Sequence, residues 1–204
     1  MRKALSVILA VLLIVPVSVF PGYAAADGTS GMEVYTIGSK PVSFLLPEGA
    51  VLLGQQQELP EESCSEFESL MFRCGSRSFS VIYNRVFGSA FDTLALGYFG
   101  VRDVIPAEME SVVVSEFETA LTMEGSGVAE YGITEADGHP AVWALLRQER
   151  MPDTLTGAVI IVSGGAYIRV NLSMQYASGK AIDREDQEIF LRILESFRQD
   201  SSSR

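Results

Sequence analysis

Residues 158–176, AVIIVSGGAYIRVNLSMQY, decide how the rest of the chain is read. Residues 158–162 form an apolar, β-rich run, and residues 167–176 alternate strictly. Ile168, Val170, Leu172 and Met174 point one way while Tyr167, Arg169, Asn171 and Ser173 point the other, the pattern of a half-buried strand. Between the two runs, Ser163-Gly164-Gly165-Ala166 offers the positive φ values of a tight hairpin. No helix follows the glycine pair, so it is a turn and not a phosphate-binding loop.

The same pattern extends outward. Residues 128–134 and 141–150 flank Asp137-Gly138-His139-Pro140, a second hairpin with Asp-Gly turn chemistry. Residues 34–37 and 42–46 flank a Gly-Ser-Lys-Pro turn, and residues 79–87 place Phe, Val and Tyr alternately on one face. Two helices complete the set. Residues 106–122 align Met109, Val112, Val113, Phe117, Ala120 and Leu121, with Pro106 in the first turn and Gly125 beyond the end. Residues 183–198 begin with Asp183 as an N-cap and align Ile189, Phe190, Ile193, Leu194 and Phe197. Each helix has one apolar face, and a sheet is the place to bury it. The expected fold class is therefore α/β of the α+β kind, a mostly antiparallel β-sheet flanked by helices.

With its early strand ending in PVSFLLPEGA, its central helix, DGHPAVWALL after a Gly turn, the AYIRVNLSM strand and the closing ILESFR helix, the chain resembles the PsbP-like α/β/α sandwich domains. The resemblance spans residues 33–199 and implies that sandwich as a single domain. It carries over no catalytic residue, cofactor or partner. The stretch 87–105 is longer than the family's usual link into the central helix.

The N-terminus carries Arg2 and Lys3, an apolar run over residues 4–20, and Ala24-Ala25-Ala26. This is the pattern of a secretory signal peptide over residues 1–26, and the apolar run is slightly short for a membrane span. Residues 27–32 read as a flexible lead-in and 200–204 as a disordered tail. The chain has 26 acidic residues against 15 Lys and Arg; cleavage after Ala26 removes two of the basic ones and leaves a formal charge of −13. So acidic a chain repels phosphate backbones and anionic lipid surfaces, which argues against nucleic acid as a partner. Secretion or a periplasmic location, with no stable span after cleavage, is the expected localisation.

Both cysteines lie in CSEFESLMFRC, residues 64–74. A continuous helix would hold the Cα atoms of Cys64 and Cys74 about 15 Å apart, where a disulfide needs about 7 Å. A continuous strand separates them further. A bond thus requires a break, such as a helical turn near residues 62–66 ahead of a strand over 69–73. An exported chain with two thiols usually bonds them, so the disulfide is the expectation, contributing about 2–3 kcal/mol. The spacing is not the C-x-x-C that lowers a thiol pKa, which leaves the role structural.

Other chemistry is sparse. The single histidine, His139, lacks partners for a zinc site, sits in no nucleophile motif, and reads as an exposed turn residue. The acidic runs Glu58, Glu61, Glu62, Glu66, Glu68 and Asp183, Glu185, Asp186, Glu188 match no calcium loop, and the second suits a helix N-terminus. Asn171 heads a glycosylation sequon inside an expected strand and reads as chance. No catalytic residue, metal site or cofactor is assigned. Residues 86–101 carry more apolar and aromatic side chains than their neighbours need. Phe91, Leu94, Tyr98 and Phe99 form either a core stripe or a surface that docks a partner. The function expected is a non-catalytic exported domain that binds or supports a protein partner in the envelope or medium. The alternative is a hydrolase, or another enzyme that binds a small molecule, with its site built from dispersed carboxylates.

Overall fold

The computed structural model describes residues 31–38, 40–58, 65–89, 91, 110–122, 127–149, 151–163 and 166–199. A seven-stranded antiparallel sheet forms the middle layer. Its strands are β3 (Val51–Glu58), β4 (Ser65–Cys74), β5 (Arg77–Phe87), β6 (Val128–Ala136), β7 (His139–Leu146), β8 (Thr154–Ser163) and β9 (Ala166–Tyr176), in the order β3-β4-β5-β9-β8-β7-β6. A smaller sheet of β1 (Met32–Thr36), β2 (Val42–Pro47) and β10 (Arg198–Gln199) is ordered β1-β2-β10. Helix α1 (Glu110–Leu121) lies on one face of the large sheet; α2 (Arg184–Glu195) and the small sheet lie on the other.

The alternation read in β9 is what builds the main core. Ile168, Val170, Leu172 and Met174 face α2 and the small sheet, meeting Val81 and Phe79 of β5 and Val159 and Leu155 of β8 across the ladder. Closure of this layer depends on Gly157, whose Cβ would lie 2.9 Å from the Val142 carbonyl oxygen and 3.2 Å from Phe190 of α2. At the Asp137-Gly138 turn both residues have positive φ, 52° and 80°, as a two-residue hairpin with this chemistry requires.

Several expectations change. β9 is buried on both faces at its centre, because α1 and its neighbours cover the side expected to face water. In α1 Phe117 enters the second core as read in the sequence, but Val114 joins it there while Val112 is 42% exposed. The last helix ends at Glu195, where Ser196 caps it, and Arg198 and Gln199 pair with β2 instead of continuing the helix. The break needed for a Cys64–Cys74 bond is not present in β4, which runs unbroken from Ser65 to Cys74. At about 3.3 Å per residue such a strand spans roughly 30 Å, far beyond disulfide reach. The buried Cys74 Sγ lies 3.8 Å from the Glu48 carbonyl oxygen, and Cys64 falls outside the described residues.

Candidate functional site

Two polar clusters sit at opposite ends of the core-facing side of the large sheet. The first is built by β4 and β5, whose register pairs Glu66 with Arg85 and Glu68 with Tyr83. The turn between β1 and β2 brings Lys40 over them, with its Nζ 3.1 Å from Glu66 Oε2 and 5.8 Å from the centre of the Tyr83 ring. Arg85 Nη1 lies 3.5 Å from Glu66 Oε1, and Gln55 Nε2 donates to Glu68 Oε1 at 2.6 Å. Glu68 and Tyr83 are fully buried, and neither Glu68 Oε2 nor the Tyr83 hydroxyl has a hydrogen-bond partner. Two positive and two negative groups balance, and the Glu68 carboxylate lies against Gly38, where a Cβ would collide with it. The cluster therefore works as a clasp closed by the β1–β2 turn, not as an open cleft.

Burial first, and then the Glu66 charge, push the Tyr83 phenol up to about 12, against the pull of Arg85. A raised pKa favours the neutral phenol, so its stabilising effect is full below pH 10 and is lost as pH rises towards about 12. Tyr83→Phe should therefore flatten the alkaline decline in folding stability in that window, as read by urea midpoints. An unchanged decline would refute the assignment.

The second cluster ties α2 to the sheet. Asp186 Oδ1 accepts from Arg77 Nε at 2.8 Å and from the Tyr176 hydroxyl at 2.7 Å, while Asp186 Oδ2 accepts from the Asp183 backbone N–H at 3.1 Å. Asp183 returns the bond to the Asp186 N–H, completing a capping box. This explains the second acidic run as helix capping. A shallow depression of about 250 Å³ adjoins it, lined by Glu130, Arg147, Ile182, Arg184 and Gln187 among others. Its polar groups are matched pairwise: Arg147 with Asp153 at 3.2 Å, Arg184 with Glu188 at 3.3 Å, and Gln187 with Glu130 at 3.0 Å. Among the described residues no group of three His, Cys, Asp or Glu is placed to hold a metal ion.

The sequence did not mark β3, and there the surface is least conventional. β3 is an edge of the large sheet, and Val51, Leu52 and Leu53 are 58%, 47% and 42% exposed in succession. A register shift between Leu52 and Gly54 marks a bulge in its pairing with β4. Of the side chains singled out in the sequence, Phe91 is 1% exposed and belongs to the interior, which removes it from the expected docking surface. Leu94, Tyr98 and Phe99 lie outside the described residues. His139 opens β7 and is half-buried, not a freely exposed tip residue.

No family model and no curated protein matches the chain. Among solved structures it is similar to the solution structure of cyanobacterial PsbP (CyanoP) from Synechocystis, with a TM-score of 0.41 and 16% identity over 87% of this chain and 98% of that one. It is similar to a crystal structure from Bacteroides thetaiotaomicron with a TM-score of 0.36 and 11% identity, over 80% of this chain but 47% of that one. A third likeness is to LpqN, involved in cell envelope biogenesis of Mycobacterium tuberculosis, with a TM-score of 0.33 and 12% identity over 79% of this chain and 92% of that one. The first of these is of the family that the sequence resembles, and the likeness concerns the fold alone.

Proposed function

We propose that this chain is an exported, non-catalytic binding domain that docks an extended segment of an envelope or extracellular protein along β3. The observation that carries the reading is the succession of three exposed apolar side chains on an edge strand. An edge presents unpaired backbone N–H and C=O groups, which natural sheets blunt with charged side chains, Pro or a bulge. β3 has a bulge between Leu52 and Gly54, but VLLGQQQE has no Lys or Pro and no charge before Glu58. A partner segment adding a strand gains ladder hydrogen bonds from that edge and apolar contact from Val51, Leu52 and Leu53. The acidic balance of the chain favours a basic segment, because long-range attraction speeds encounter. Export by the leader over residues 1–26 belongs to the same reading. Among the described residues no helix is long and apolar enough to cross a membrane.

The test is crosslinked affinity purification of the tagged chain from its host, run beside a Leu52→Lys/Leu53→Lys variant. A protein recovered with the parent chain and reduced about tenfold with the variant is expected, the equivalent of about 1.4 kcal/mol. Equal recovery with both, or no protein specific to the parent, would sink the reading. Equal urea midpoints for the two chains separate a lost contact from a lost fold, since surface substitutions of this kind rarely move stability far.

A further inference from the structure

We propose that the face of the large sheet beside α1 binds the carboxylate of an amphipathic organic acid through Arg169 and Asn171. Arg169 stands in the middle of β9, with β5 on one side and β8 on the other, so its side chain rises from the centre of the sheet. It is 3% exposed, yet its Nε has no hydrogen-bond partner, and among the described residues no ion pair reaches it. Two residues further along the same face, Asn171 Nδ2 is buried and unpartnered too. A buried guanidinium N–H is rarely left without an acceptor, and an orphaned amide N–H beside the Arg169 Nε adds to that demand.

The neighbours define what that acceptor is attached to. Across the ladder Arg169 adjoins Asn84 and Ile160, and Asn171 adjoins Ile82 and Ala158. Ile160 and Ala158 are packed with Val114 and Phe117 of α1, and Tyr167 borders the same group. The donors therefore stand at the border of an apolar layer. A carboxylate matches the planar fork of a guanidinium and leaves lone pairs for the Asn171 amide, while its hydrocarbon or aromatic body suits the apolar side. One cation balances one carboxylate. A phosphate dianion would leave excess negative charge in a chain already at −11.

The probe is octanoate, titrated calorimetrically into the full chain, with octanol and octyl phosphate in parallel and with the variants Arg169→Met and Asn171→Leu. Octanoate should bind saturably and about tenfold or more tighter than octanol, and each variant should lose at least that factor. Arg169→Met should also raise the thermal midpoint of the ligand-free chain, because it removes a buried charge that no ion pair among the described residues compensates. A purely structural Arg169 predicts the reverse. Octanoate binding that equals octanol binding, or survives both substitutions, or is absent, would overturn the proposal. Tighter binding of octyl phosphate than of octanoate would overturn the carboxylate assignment. If Arg169→Met does not fold, the arginine is structural and the proposal fails on that result.

Discussion

Asp186→Ala should destabilise the fold by about 3–5 kcal/mol at neutral pH, a large share of what a domain of this size has to lose. The carboxylate is fully buried and receives three hydrogen bonds, the one from the Asp183 N–H being its part in the capping box. Removing it takes the buried acceptor from both Arg77 and the Tyr176 hydroxyl and breaks one half of the α2 capping box in one step. Burial by itself pushes this carboxyl up. The Tyr176 hydroxyl, the Asp183 N–H and the Arg77 guanidinium outweigh it, and the net effect is a pKa below the ordinary 3.8. A depressed pKa means that the stabilisation is present above the unfolded value and is lost as pH falls through the folded one. The gap between parent and variant in urea denaturation should thus be widest near neutrality and narrow below pH 3.8. A gap of under about 1 kcal/mol, the scale of an ordinary surface change, would show that the cluster is not what fastens the helix. The double variant Arg77→Met/Asp186→Leu should lose less than Asp186→Ala alone, because the buried guanidinium is then not left without its carboxylate.

That network was half legible. Asp183 and the acidic first turn announce a helix start, so the cap could be read from residue types alone. The partner of Asp186 lies 109 residues away in β5, and no local pattern connects the two. The same limit explains the outer face of β9. Strict alternation put Arg169 and Asn171 on the side away from the main core, which is right; Asn171 is half-buried there, but Arg169 is closed off from solvent, which the alternation did not foretell. Whether a second face is covered depends on where a distant helix lands. β3 escaped notice for a different reason: VLLGQQQE has a glycine and three glutamines, shows no two-residue alternation, and pairs on one side only. In the cysteine stretch the periodicity of Phe67, Leu70 and Met71 imitated a helix, although Phe72 and Leu70 alternate inward along β4. Compartment chemistry then pointed to a bond that the length of the strand does not permit.

Phe197→Ala should be the other severe change, costing about 3–5 kcal/mol as for other buried aromatic truncations. Phe197 is fully buried and stacks on Phe44 with ring centres 5.0 Å apart and planes at 25°. Phe44 in turn meets Phe72 edge-on at 6.0 Å, so this ring joins the small sheet to the large one. The helical stripe of Ile189, Phe190, Ile193 and Leu194 made Phe197 look like one more turn of α2. The chain leaves the helix first, at Ser196, whose hydroxyl donates to the Ile193 carbonyl at 2.6 Å and whose Oγ accepts from the Leu45 N–H at 2.8 Å. Phe197 therefore anchors a crossing between layers, and β10 follows it directly, pairing Arg198 with Ser43 and Gln199 with Val42. The expected signature has two parts. The urea midpoint falls with an unchanged slope, as in a loss of stability without a change of fold, and amide exchange in β2 rises out of proportion to that in β9, because the small sheet depends most directly on this ring. Phe197→Leu should lose clearly less, since it keeps much of the buried volume. Equal losses for Ala and Leu, or uniform acceleration across both sheets, would mean that the ring fills space without joining the layers.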